Sequence, residues 1–518
     1  MKEVTENKPK RNIIDRTIAY FNPEAALRRV KARALISAYD KSAYHGASRS
    51  RAAMSSYRTV DGDVNDDTIA ELPQLRARSR DIVRNMPVAG GAISTIVTNV
   101  VGTGLTMRSA IKYELLGLSA SQAGMWQDTV NARFEMWAES MDCDVTRMMN
   151  FYGIQSLAFR SMMESGDSFV LPVDVSGIGM ALQIIEADRC CNKDSAQDTD
   201  RMIGGVEIDA MGAPTRYWFC NQHPSQWKNR DKRKWTGRAA FGSQTGMRQV
   251  LQLIDRRRPE QVRGVPILAP VIEPLKQLQR YTEAELQAAV ISGAFAIFMK
   301  MDPNAFSELF DDNGKKTYID NALGWNGSLP LSTLDGPGKA VNLLPGEEPI
   351  ETNPGRPNSE FDPFVQAILR QVGTELGLPF EVLIKHFTSS YSAARAALLD
   401  AWKTFRVRRE FIAAYLCQPV YEQWLFREVV AGRVIAQGFF EDPFIRQAWS
   451  AANWIGDGPG SIDPQKEIQA AKGRVDLGVS TIADESILWD GKDWWEKHRQ
   501  RAREHAIRVG AGLDQSSA

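Results

Sequence analysis

The run Phe361-Asp362-Pro363-Phe364-Val365-Gln366-Ala367-Ile368-Leu369-Arg370-Gln371-Val372-Gly373-Thr374-Glu375-Leu376-Gly377-Leu378-Pro379-Phe380-Glu381 leads through a polar connection to Tyr391-Ser392-Ala393-Ala394-Arg395-Ala396-Ala397-Leu398. Phe361, Phe364, Val365, Ile368, Leu369, Val372 and Leu376 recur at helical spacing after Asp362-Pro363, so one apolar stripe runs along about 25 Å of helix. Gly377-Leu378-Pro379 ends it. From Phe380 to Tyr391 the density of β-branched and hydroxyl side chains predicts a loop. Ser392 then opens a long helical pattern through Trp402, Phe405, Ile412 and Leu416 that continues past Pro419 to Leu425, and a proline inside a helix kinks it. Helix, polar loop and long kinked helix are the frame for the rest.

A chain of 518 residues can bury a substantial core in two or more domains. Its 63 basic residues balance 63 acidic ones, which argues against a tight, indiscriminate DNA binder but suits a surface along which DNA slides. Five cysteines (Cys143, Cys190, Cys191, Cys220, Cys417) form no CxxC pair, and an odd count in a chain this long reads as reduced thiols of a cytosolic product. The start lacks the apolar core of a signal peptide, and no run of eighteen apolar residues occurs, so a soluble protein is expected.

Upstream, residues 1 to about 60 are rich in Arg, Lys, Ala and Ser and read as an arm that orders against a partner. An arginine-rich helix follows from Leu75 to Asn85, then Met86-Pro87, an apolar helix through Ile96 and Val100, and Gly102-Thr103-Gly104-Leu105, which reads as a turn because no phosphate-loop glycine or Lys-Ser/Thr follows. Residues 121–165 read as helical. Gly166-Asp167 opens a β-rich region with strands near 181–185, 204–208 and 215–219. Glu164, Asp167, Glu186 and Asp188 could be imagined as a metal-dependent nuclease cluster, but carboxylates at strand ends and turns usually face solvent or cap helices. After Arg256-Arg257-Arg258-Pro259 and Arg263-Gly264-Val265-Pro266, a helix spans about 269–297. Residues 298–358 are dense in Gly, Pro and Asp and read as short strands and hairpins. Beyond the kinked helix, Asp463-Pro464 caps another helix, and a charged helix over 496–508 carries His498 and His505 on one face, read as solvated. No Walker motif, HExxH, Gly-x-Ser-x-Gly or dinucleotide fingerprint appears.

Leu376-Gly377-Leu378-Pro379-Phe380-Glu381 with Tyr391-Ser392-Ala393-Ala394-Arg395-Ala396-Ala397-Leu398 resembles the lambda-family portal proteins of tailed phages. So do the arginine-rich helix with its Gly102-Thr103-Gly104-Leu105 turn, the Arg263-Gly264-Val265-Pro266 crossing, Pro345-Gly346-Glu347-Glu348-Pro349, and the line from Asp463 to Asp493; together they cover about residues 65–500 in the family's order. The resemblance implies an α+β, mostly helical portal fold. Its parts would be a flexible arm (1–60), a wing (61–262), a first stem helix (263–297), a clip (298–358), a second stem helix (359–378), a tunnel loop (379–392), a long kinked helix (393–432) and a crown-like C-terminal region (433–518).

The same resemblance implies a homo-oligomeric, dodecameric ring at one capsid vertex, through which viral double-stranded DNA is packaged and ejected. Terminase large subunit, then head-completion or tail connector proteins, would dock on it, alongside capsid and scaffold proteins; no membrane, cofactor, metal or catalysis is expected. Lys385, His386, Thr388, Ser389, Ser390, Tyr391 and Arg395 become the candidates lining the channel, since a ring turns one loop into an annulus and polar groups can brush phosphates without trapping them. Trp325, Asp335, Glu347 and Glu348 become the clip's docking candidates. Lys403, Arg406, Arg408 and Arg409 are expected to pair with carboxylates of the next subunit. The rival readings are another structural virion protein, such as a capsid or scaffold component, and the nuclease.

Overall fold

The computed structural model describes residues 61–226, 230–294, 298–301, 347–350, 358–387, 390–460, 463–491 and 493–511, with isolated positions between 20 and 59. The chain divides into two compact units, Met1–Asp63 and Val64–Ala518. The expected arm lies almost wholly outside the described residues, and every element below belongs to the second unit.

Helix α1 (Val64–Thr68) and α2 (Leu72–Asn85) lead to Met86, which the following proline holds extended at φ −114° and ψ 111°. Pro87 then opens α3 (Pro87–Val100), where its missing N–H costs nothing. Helix α3 buries Ala89, Ala92, Ile93, Ile96, Val97 and Val100, so it runs through the core. Strand β1 (Thr106–Ser109) precedes α4 (Ala120–Glu139), which a reciprocal Ser119–Gln122 capping box starts, and α5 (Phe151–Ser165), capped by Asn150. The helical block expected over 121–165 is therefore two helices, broken where Arg147 takes φ 56°.

Strands β2 (Asp167–Val175), β3 (Gly179–Ile185), β4 (Met202–Ile203), β5 (Val206–Ile208), β6 (Pro214–Cys220), β7 (Trp235–Ala239) and β8 (Leu251–Ile254) form two antiparallel sheets, ordered β3-β2-β8 and β4-β5-β6-β7. Phe169, Leu171, Ile185, Val206, Tyr217 and Phe219 make a small core of their own there. Helix α6 (Ile272–Ala294) follows, then β9 (Phe298–Met301) and β10 (Glu347–Ile350), paired antiparallel. Helices α7 (Phe361–Leu376), α8 (Phe380–Ile384) and α9 (Tyr391–Ile412) follow in turn. A five-residue π turn, Ala413–Cys417, joins α9 to α10 (Gln418–Val430), with the Gln418 N–H reaching back to the Ala413 carbonyl. The extra residue sits just ahead of Pro419, so the helix absorbs the missing donor by widening.

Helix α11 (Pro443–Trp449), β11 (Ala452–Ile455), α12 (Pro464–Asp476), α13 (Ile482–Asp490) and α14 (Trp494–Gly510) complete the chain. Asp463 caps α12 as expected, accepting from the Lys466 N–H at 3.4 Å. Strand β11 returns to pair with β1, Thr106 opposite Ile455. One large core holds the two ends together: the Phe134 ring of α4 meets Phe151, Tyr421 and Trp424 edge-on at centroid distances of 6.0, 5.4 and 5.1 Å. His498, expected in solvent, is exposed yet stacks on Trp494 at 4.9 Å. Among the described residues no helix is long and apolar enough to cross a membrane.

Candidate functional site

The expected channel segment hangs from a buried shoulder. Helix α7 sinks Leu369, Val372 and Leu376 into the core and ends where Gly377 turns left-handed, φ 67° and ψ 32°. The Leu378 N–H then reaches Gly373 O at 2.8 Å and the Gly377 N–H reaches Thr374 O at 3.3 Å, which satisfies the helix's last carbonyls. A Cβ on Gly377 would meet Thr404 Cγ2 at 2.9 Å. Gly377→Ala is therefore expected to cost about 1–2 kcal/mol, read by urea denaturation, while Gly377→Asn, more tolerant of this conformation, should recover part of it.

Residues 380–391 do not form the continuous loop expected from their composition. Pro379 starts α8, which buries Val382 and Leu383, and with Leu378 beneath them tertiary burial outweighs the poor helix propensity of Val and Ile. Lys385 ends α8 in the left-handed region, φ 55°, with its N–H and that of His386 both returning to Glu381 O. From there Lys385, His386, Phe387 (47% exposed) and Ser390 point into solvent. Thr388 and Ser389 lie outside the described residues; Tyr391 opens α9, and its side chain is outside them too. Arg395, one turn into α9, is ion-paired to Glu467 of α12 at 3.6 Å and is drawn back from the exposed turn.

Two of the four basic residues of α9 expected to reach another subunit turn inward instead. Arg409 donates to Asn99 O at 2.9 Å and Val100 O at 3.0 Å, the exposed carbonyls at the end of α3, and Arg408 donates to Leu376 O at 3.0 Å at the end of α7. Burial pushes both guanidiniums below their ordinary pKa. Helix C-termini carry partial negative charge and orphan carbonyls, so a guanidinium satisfies both needs. These bonds pin α9, and the turn before it, to the core. Lys403 pairs with Asp400 at 3.6 Å on its own helix.

Of the docking candidates, Trp325 and Asp335 lie outside the described residues. Glu347 and Glu348 begin β10, opposite Met301 and Lys300 of β9.

The four carboxylates read as solvent-facing or capping are claimed by arginines. Asp167 is fully buried, 2.7 Å from Arg263 Nε and 3.2 Å from Arg76 NH2, and accepts from the Gly264 N–H at 3.1 Å. Burial alone would raise its pKa, but the two guanidiniums outweigh that and hold it below the carboxylate range. Arg263 uses all five of its N–H donors, on both Asp167 oxygens and on the carbonyls of Ala187, Cys190 and Gly204. Arg80 grips both Glu186 and Asp188, and Arg160 holds Glu164 at 3.1 Å. Glu186, Asp188 and His223 bring three potential ligand atoms within 4.8 Å of one another, but the Arg80 guanidinium already bridges the two carboxylates. The cluster is a clamp between α2 and the β-rich region. Sequence reasoning missed Arg76, Arg80 and His223 here; the i, i+4 spacing of Arg76 and Arg80 on an arginine-rich helix was the available signal.

Comparison with known proteins places this architecture. The profile of the family "Phage portal protein, lambda family" matches residues 50–409. Portal protein B of Escherichia phage lambda is 26% identical over 493 residues, covering 91% of this chain and 90% of that one. The portal protein of Escherichia phage N15 is 25% identical, covering 85% of each chain. A crystal structure of an HK97 family phage portal protein from Corynebacterium diphtheriae aligns at 13% identity and a TM-score of 0.31, covering 66% of this chain and 90% of that one. With the profile spanning well over half its length, the chain belongs to the lambda family of phage portal proteins.

Proposed function

We propose that copies of this portal protein close head to tail into a dodecameric ring at one capsid vertex, with double-stranded DNA passing along the axis during packaging and ejection. The observation that carries the reading is the exposed turn Lys385–Ser390, held outward by a buried shoulder below and by Arg408 and Arg409 behind. Repeated around an axis, its Lys385, His386 and Ser390, with Thr388, Ser389 and Tyr391, make an annulus of mixed polar groups that contacts phosphates weakly. Around it the protomer leaves apolar side chains uncovered that a neighbour would bury: Leu286 and Val290 on α6, Phe364 on α7, Leu399 and Val407 on α9.

In this reading residues 61–262 are the wing, α6 and α7 the stem, β9 and β10 part of the clip, and 433–518 the crown. The clip, with Trp325, Asp335, Glu347 and Glu348, receives the terminase large subunit and later a head-completion or tail connector protein, while the outer body meets capsid and scaffold proteins. The ring itself is not an enzyme: its clustered carboxylates are spent on arginines, so a separate ATPase supplies the energy of translocation. Electron micrographs of the purified chain are expected to show rings with an axial hole. Monomers only, or closed shells without a hole, would remove this reading in favour of another structural virion role.

A further inference from the structure

Helix α10 carries two acidic side chains with opposite surroundings. Glu428 is buried and receives Arg133 at 2.6 Å and Arg433 at 2.7 Å, which together hold its carboxyl low against the cost of burial. Glu422, six residues earlier, is half-buried, and an amide serves it: Gln418 Nε2 donates to it at 3.0 Å while also serving Ser450 O and accepting from Trp454. Arg248 and Arg446 act on Glu422 from beyond ion-pair distance, and burial wins, pushing its carboxyl up.

Glu422 lies in the wall of a recess of about 540 Å³ that also holds the Glu410 carboxylate. The π turn supplies part of its floor through Ala413 and Ala414, so the widened helix leaves room where an ordinary turn would not. Trp454 and Phe444 form aromatic walls. Lys112 also lines the recess, exposed and not within ion-pair distance of either carboxylate. The rim is apolar and uncovered: Leu115 is 56% exposed, Phe444 59% and Tyr415 54%.

We infer that this recess receives an arginine side chain from the next copy of the chain in the ring. Two carboxylates between aromatic walls suit a planar, weakly hydrated guanidinium better than an ammonium. A head-to-tail ring places a different patch of the same chain against this one, and the apolar rim is the kind of surface such a contact covers. The inference rests on the ring reading and adds to it a specific polar anchor.

The test uses the full chain, with assembly followed by mass photometry across a dilution series and ring counts in electron micrographs. Glu422→Gln is expected to raise the concentration for half-assembly by about tenfold or more, as removing one member of a buried interfacial charge pair does. The same substitution removes the cost of ionising a buried acid, so the dissociated protomer should melt no lower than wild type; a merely structural Glu422 would move the melting temperature down instead. Glu422→Arg should block assembly outright in a protomer whose circular dichroism is unchanged. A density map of the wild-type ring should show a neighbour's guanidinium between Glu410 and Glu422, and reversing that pair should restore assembly. Rings that form equally well in both variants, or a recess filled by an uncharged side chain or by solvent, would overturn the inference while leaving the ring intact. A wild-type chain that never forms rings would remove both readings.

Discussion

Arg263→Met is expected to cost about 3–5 kcal/mol of unfolding free energy, the range for removing one member of a buried ion pair. The substitution takes five hydrogen bonds at once, leaving the carbonyls of Ala187, Cys190 and Gly204 without this donor and Asp167 with Arg76 as its one remaining cation. Urea denaturation followed by tryptophan fluorescence reads the loss; a cost below about 1 kcal/mol would mean that water replaces the guanidinium at little penalty. Acid supplies a second readout. Asp167 and Glu428 both have carboxyls held below their ordinary pKa, so the stability they contribute is present above the unfolded-state value near pH 4 and is lost as pH falls below it. Wild type should therefore lose stability steeply under acid, and Arg263→Met less steeply, because part of Asp167's contribution is already gone.

The amino-acid pattern disclosed what local chemistry decides. Asp463-Pro464 announced the start of α12, Gly377 the end of α7, and Met86-Pro87 the break between α2 and α3, because each is set by a cap, a positive φ or a proline within a few residues. It did not disclose what distant partners decide. Strand β1 is four residues long and acquires its identity from β11, 349 residues away at the Thr106–Ile455 bond. Helix α8 exists because Val382 and Leu383 find a core, against their own propensity. Arg408 and Arg409 looked like one exposed basic face with Lys403 and Arg406, since nothing nearby in sequence reveals that helix ends lie beneath them. The candidate channel turn was legible in part: Lys385, His386 and Ser390 are exposed together, whereas Arg395 is claimed by Glu467. Asp167 and Arg263 were each visible as residues, 96 positions apart, but only folding makes them one buried pair.

That joint also carries the most severe single substitution expected, Gly264→Ala. The last residues of α5 and the chain entering α6 press backbone to backbone: a Cβ on Gly264 would sit 1.9 Å from Gly166 O, and one on Gly166, at φ 91°, would sit 2.2 Å from Gly264 O. Neither obstacle is a side chain that can rotate away, so the methyl group must separate two segments and with them the Gly264 N–H bond to Asp167 and the Ile267 N–H bond to Met163 O. A cost above about 4 kcal/mol is expected, in the exceptional range for one methyl group, against about 1 kcal/mol for Gly177→Ala, whose left-handed glycine has open space around it. Thermal melts of the two variants side by side separate steric blockage from mere loss of glycine's freedom; equal shifts would show that the segments part easily. Because α6 begins eight residues after Gly264, this contact also sets the direction in which the stem leaves the outer body. Any Gly264→Ala protein that still folds should then fail to close rings at concentrations where Gly177→Ala assembles, since a small change in that direction repeats at every subunit around the axis.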